Sequence, residues 1–133
     1  MLWRKPEEGL LKVLEEGIGS VAFCPLAQGL LTDKYIHGIP ADSRAANSNI
    51  RHLNSNDIKP ELIEKIVALN EVAKDRGQSL AQLALAWVIR EGGVTSAIIG
   101  ASRKEQIIDN VNMLKNKNLT SDELVRIDEI LSK

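Results

Sequence analysis

With 133 residues, a hydrophobic fraction of 44% and a charged fraction of 26%, the chain has the size and balance of one soluble globular domain with a real core. A net charge of −1 supplies no basic field for nucleic acid or an anionic membrane, and 3% aromatic residues leave no base-stacking surface. One cysteine excludes an internal disulfide framework and fits a reducing cytoplasm, and no apolar run approaches the length of a membrane span.

From Pro6 to Glu16 the pattern predicts a helix. Pro6 fits the first turn, Glu7 and Glu8 favour the positive end of the helix dipole, and Leu10, Leu11, Val13 and Leu14 form a stripe expected to be buried. Gly17 and Gly19 end it, and Ser20 to Phe23 follows as a short apolar strand expected to be buried on both faces. Pro25 closes that strand because it cannot donate to a sheet ladder. Gly29, Lys34 and the only tyrosine, Tyr35, come next. A strand that opens into a Pro/Gly turn with a cation beyond it either presents backbone N–H groups to a ligand or is an ordinary loop. Cys24 has no base within reach in sequence and reads as a small buried residue.

Residues 36–58 are polar, aperiodic and too long for a plain connection, so they are expected to form a long mobile loop ordered by a ligand or partner. Both histidines, His37 and His52, lie in it without a cysteine nearby, so no zinc site is expected. Pro60 to Arg76 has the 3.6 period of an amphipathic helix, with Gly77 as its stop. Ser79 and Gln82 form a capping box for a further helix to about Arg90, whose Trp87 is assigned to the core. After Gly92 and Gly93, Val94 to Ile99 reads as a second buried strand. Ser102 with Glu105 is expected to cap a helix carrying Ile107, Ile108, Val111 and Leu114. Thr120 with Glu123 caps a last one carrying Leu124, Ile127, Ile130 and Leu131. The order α, β, long loop, α, α, β, α, α is that of a parallel-sheet α/β fold.

The second strand leads into Gly100-Ala101-Ser102-Arg103-Lys104. A helix N-terminus behind a strand is an anion site, whereas cations in a first helical turn oppose the dipole. Arg103 and Lys104 therefore either hold an anion such as phosphate or are solvated surface residues. No Ser/His/Asp or Cys/His set is evident, and nothing completes an acid/base pair with Lys34 and Tyr35.

Phe23 to Tyr35, FCPLAQGLLTDKY, resembles the SPLAxGxLTGKY segment of aldo-keto reductases. Ser79 to Val88 resembles the helix before that family's last strand, and Ile98 to Arg103, with Gln106 and Asn110, resembles its adenosine-phosphate site. The closest subgroup is similar to bacterial relatives of potassium-channel β subunits, including reductases of glyceraldehyde phosphate and methylglyoxal. The resemblance implies the C-terminal portion of a (β/α)8 barrel, two strands and their helices, from an enzyme reducing small aldehydes or ketones with NADPH. It implies that Cys24, Leu26, Gln28, Gly29 and Lys34 lie along the nicotinamide–pyrophosphate portion. Gly100, Ser102 and Arg103 would hold the 2′-phosphate and ribose, with Gln106 and Asn110 on the adenine side. Cys24 replaces the usual serine and Asp33 a common glycine. The family's catalytic Asp, Tyr, Lys and His lie on earlier strands, so no catalytic residue is expected here. Open strand edges are expected to promote self-association.

Overall fold

A computed structural model describes residues 1–41, 43–46, 53 and 55–132. A 3-10 turn at Lys5–Glu8 precedes α1 (Leu10–Leu14) and β1 (Val21–Phe23). Short 3-10 turns then lead to α2 (Pro60–Asp75), α3 (Leu80–Val88), β2 (Ser96–Ile98), α4 (Lys104–Asn112) and α5 (Ser121–Ser132). The two strands pair in parallel, with Val21 opposite Ser96, Ala22 opposite Ala97 and Phe23 opposite Ile98.

The core is centred on α3. All of Leu80–Val88 except Gln82 is buried, as expected of a helix that is apolar all round. Leu83 and Ala84 meet Ile66, Leu69, Val72 and Ala73 of α2 and Ile127 of α5 in one apolar cluster. Leu30, Leu31 and Tyr35, from the stretch after β1, join the same cluster. Of the 36–58 region, Ala45 and Leu53 are also part of it. The expected mobility of that region falls in part on residues outside those described, as does His52.

Local chemistry fixes the helix ends. Pro60 sits in the first turn of α2. Gly77 (φ +65°) lets Gln78 N–H reach Ala73 O at 2.9 Å and Gly77 N–H reach Lys74 O at 2.8 Å, a Schellman close. The side chain of Arg76 then donates to Gln78 Oε1 (2.7 Å), Asn116 O (2.7 Å), Asn118 O (3.1 Å) and the Glu123 carboxylate, tying α2 to α5 and the segment before it. The expected boxes at Ser79/Gln82 and Thr120/Glu123 both form. The expected Ser102/Glu105 box does not. Gln106 reaches back instead, and its Oε1 accepts from Ser102 N (2.9 Å), Ser102 Oγ (3.2 Å) and Arg103 N (3.2 Å). Trp87 is buried as expected, with the Arg90 guanidinium 3.8 Å and that of Arg4 5.3 Å from its ring centre.

Three burial expectations are corrected. The strands bury only one face. Ala22 and Ala97 pack on the core, while Val21 (58%), Phe23 (76%) and Ile98 (62%) remain exposed. The cause is geometric, because helices cover one side of a two-stranded sheet and nothing described covers the other. The α1 stripe also fails to bury, with Leu10 and Val13 exposed, and Ile107, Ile108, Val111 and Leu114 are exposed near and on α4. Cys24 is exposed rather than buried, since it lies just beyond the strand at the start of the turn, where the backbone takes a left-handed conformation (φ +50°).

Candidate functional site

Parallel pairing sends both chain segments out of the same end of the sheet. Phe23 is opposite Ile98, so the Cys24–Pro25 turn and the Ile99–Gly100 turn leave side by side from carboxyl ends about 4.8 Å apart. Ligands of α/β folds sit outside the carboxyl ends of strands.

The first turn is wound tightly. Ala27 N–H donates to Cys24 O (2.9 Å), Gly29 N–H to Leu26 O (2.9 Å) and Leu31 N–H to Leu26 O (3.2 Å). Cys24 (φ +50°), Ala27 (φ +48°) and Gln28 (φ +61°) all adopt left-handed conformations that side chains disfavour by roughly 1–2 kcal/mol each. Such clusters persist only where the surroundings hold them, and they concentrate at functional sites. The anchors here are buried Pro25, Leu30, Leu31 and Tyr35, plus Thr32, whose Oγ1 donates to Gly29 O at 2.7 Å and accepts from Lys34 N at 3.2 Å. Gln28 Nε2 lies 3.7 Å from Cys24 Sγ. Lys34 and Asp33 are exposed beyond the turn, and Leu26 is partly buried.

The second turn carries the positive charge. Arg103 is the N-cap of α4 and Lys104 its first residue, and both are exposed. Neither forms an ion pair among the described residues. A Cβ added at Gly100 would meet nothing within 4 Å, so the chain's own packing gives no reason for a glycine there. Further along α4, Asn110 is 5% exposed. It lines a groove of about 280 Å³ beside β2, with Leu85, Ile99 and Met113.

α4 is held by its neighbour. Asp109 accepts from Ser79 Oγ (2.9 Å) and Gln82 Nε2 (2.7 Å), and its backbone carbonyl accepts from Gln82 Nε2 (2.9 Å). The capping box of α3 thereby fixes the helix that bears Arg103, Gln106 and Asn110. Sequence reasoning missed this clamp, because nothing in the spacing of Ser79, Gln82 and Asp109 signals it. It also missed the left-handed run, for which alanine and glutamine are weak signals.

The strand pairing therefore starts the turn that carries Cys24, Leu26, Gln28 and Gly29 beside the segment that leads to Gly100, Ser102 and Arg103. Tyr35 is withdrawn into the core at 2% exposure. Among the described residues no group of three or more His, Cys, Asp or Glu could hold a metal ion, and no helix is long and apolar enough to cross a membrane.

Two parallel strands with helices packed on one face and turns leaving side by side at the carboxyl ends define a parallel α/β unit. A sequence profile of the aldo/keto reductase family matches residues 1–132, and the chain belongs to that family. It is 45% identical over 126 residues to the L-glyceraldehyde 3-phosphate reductase of Escherichia coli strain K12, covering 92% of this chain and 36% of that protein. It is 40% identical over 110 residues to a probable voltage-gated potassium channel subunit beta of Oryza sativa subsp. japonica, covering 82% of this chain and 34% of that one. Among solved structures it is similar to a glycerol dehydrogenase from Gluconobacter oxydans, with a TM-score of 0.79, 25% identity, and coverage of 98% of this chain and 39% of that one. The chain spans little more than a third of the length of these relatives. In fold it is part of a (β/α)8 barrel, as the sequence resemblance implied.

Proposed function

We propose that this chain is the cofactor-holding part of a cytoplasmic oxidoreductase that reduces small aldehydes or ketones with NADPH. The observation that carries the reading is the pair of adjacent turns at the carboxyl end of the sheet, one of them bearing unpaired Arg103 at a helix N-terminus. An anion there offsets the unfavourable placement of Arg103 and Lys104 against the helix dipole. The planar guanidinium of Arg103 suits a phosphate group, which favours the 2′-phosphorylated cofactor over NADH. Open space at Gly100 admits a ligand close to the backbone, and the amide of Asn110, on the groove beside β2, offers a donor and an acceptor for the adenine side. Ser102 and Gln106 would hold the ribose and adenine from the start of α4. Cys24, Leu26, Gln28 and Gly29 would hold the nicotinamide–pyrophosphate portion, with Lys34 beyond them.

The cofactor would supply hydride chemistry toward a carbonyl carbon, and the chain's own residues would bind and orient it. Tyr35, the only tyrosine, is buried in the core. That observation favours a second reading for the 133-residue chain by itself, a nucleotide-binding or partner-associating module without turnover.

Titration of NADPH fluorescence with the purified chain tests the site. Saturable binding is expected, weaker for NADH, and Arg103→Ala should weaken NADPH binding about ten-fold or more, the worth of one charge-assisted contact. No saturable change with NADPH would refute the cofactor reading. Consumption of NADPH with methylglyoxal by the chain alone would refute the non-catalytic one.

A further inference from the structure

The helix that begins behind Arg103 is tied to the rest of the chain through one residue. Among the described residues, every side-chain hydrogen bond that joins α4 to another element runs through Asp109. Its Oδ2 accepts from Ser79 Oγ (2.9 Å), its Oδ1 from Gln82 Nε2 (2.7 Å) and its backbone O from Gln82 Nε2 (2.9 Å). Apolar packing adds little, since Asn110 is the one buried residue of α4. The two donors are themselves held. Ser79 Oγ accepts from Gln82 N–H (3.2 Å), and Gln82 Oε1 accepts from Ser79 N–H (3.3 Å). The capping box of α3 thus orients both side chains toward α4.

Asp109 lies on the flank of α4. At about 100° per residue, Gln106 and Asn110 share a face, and Asp109 sits roughly 60–100° around the helix from it. Bonds made there leave the face of Gln106 and Asn110 free and set the rotation of the helix about its axis. A rotation of about 10° would carry side-chain tips, about 5–6 Å from the axis, by about 1 Å, enough to break a hydrogen bond. We propose that Ser79 and Gln82, which lie on neither turn of the candidate site, are positioning residues for the cofactor. Acting through Asp109, they set the rotation of α4 and with it the aim of Arg103, Gln106 and Asn110. The inference rests on the NADPH reading of that site.

The test is fluorescence titration of the full 133-residue chain with NADPH. Gln82→Leu keeps a good helix former and removes both donations to Asp109. Ser79→Gly removes the hydroxyl and keeps a residue tolerated at an N-cap. Each should weaken NADPH binding about three- to ten-fold while circular dichroism shows a folded chain. Ile66→Val, a small cavity in the α2 part of the core, should lower the melting temperature yet leave binding within about two-fold. In an Arg103→Ala background Gln82→Leu should cost only about two-fold, because the contact it aims is already gone. Without cofactor, the amides of Ile107 to Asn112 should exchange faster in Gln82→Leu than in the parent, relative to those of α2. A parent chain that does not bind NADPH would overturn the cofactor reading and this inference with it. A parent that binds, with clamp variants that bind equally well, that lose no more than Ile66→Val, or that add in full to Arg103→Ala, would overturn this inference alone. Unchanged exchange in α4 would do so whether or not NADPH binds.

Discussion

Replacing Asp109 by alanine probes the joint between α3 and α4. The carboxylate accepts from Ser79 Oγ at 2.9 Å and from Gln82 Nε2 at 2.7 Å, while Gln82 keeps its bond to Asp109 O at 2.9 Å in any variant. Hydrogen bonds to a charged group contribute roughly 1.5–3 kcal/mol each, so two intact bonds give an upper bound of about 3–6 kcal/mol. All three side chains are only partly buried, so water reaches the freed donors, and about half of the lower figure to half of the upper is retained as a loss. The expected destabilisation is therefore about 2 kcal/mol. Asp109→Asn keeps one acceptor and should lose about half as much. Urea unfolding followed by circular dichroism measures both, with the slope unchanged if only stability is affected. A loss below about 0.5 kcal/mol for Asp109→Ala, the range of ordinary surface changes, would refute the clamp as a stabilising element.

Acid should weaken the α2–α5 junction through Glu123. Partial burial raises its pKa, but the Thr120 N–H and the Arg76 guanidinium outweigh that and hold it below the ordinary 4.5. Its contribution is thus complete above that value and disappears as pH falls through the lower folded value, so Glu123→Gln should flatten the fall in melting temperature below pH 4.5. Leu83→Ala, at the centre of the core, should cost about 2–5 kcal/mol, whereas Ile107→Ala on the exposed face of α4 should stay within about 0.5 kcal/mol in the isolated chain by chemical denaturation. A Cβ at position 93 would lie 2.6 Å from Val88 O and 2.9 Å from Arg90 O, so Gly93→Ala should destabilise by about 1–3 kcal/mol. Gly9→Ala, with nothing within 4 Å of the new atom, serves as the control in the same melts.

Element order and the identity of the core were legible because periodicity reports them directly. Trp87 reads as a core residue of its helix, and it is buried together with Leu80, Leu83, Ala84 and Val88. Caps were legible where the side-chain pair is local, as at Ser79/Gln82 and Thr120/Glu123. The same rule failed at Ser102 because Gln106 competes for the same N–H groups from one position further on. Burial of β1, β2 and α1 was misjudged for a different reason. Apolar pattern records which face wants cover, and the pattern of Val21, Phe23 and Ile98 is the same whether the cover is present or not. Of the candidate site, Gly100 and Arg103 announced themselves by type and position. The left-handed backbone at Cys24, Ala27 and Gln28 did not, because it is imposed by the anchors around it and not by the residues themselves.

The half-covered sheet also inverts the usual ranking of local stability. Central parallel strands normally hold the slowest-exchanging amides of an α/β protein, with the helices opening first. Here each strand is three residues long and has bonding partners on one side alone among the described residues, while α3 is packed by α2, α4 and the 3-10 turn Met113–Asn116. In deuterium exchange the amides of Leu83 to Trp87 should outlast those of Val21 to Phe23 and Ser96 to Ile98. The element that gives the fold its architecture is thus the first part of it to open.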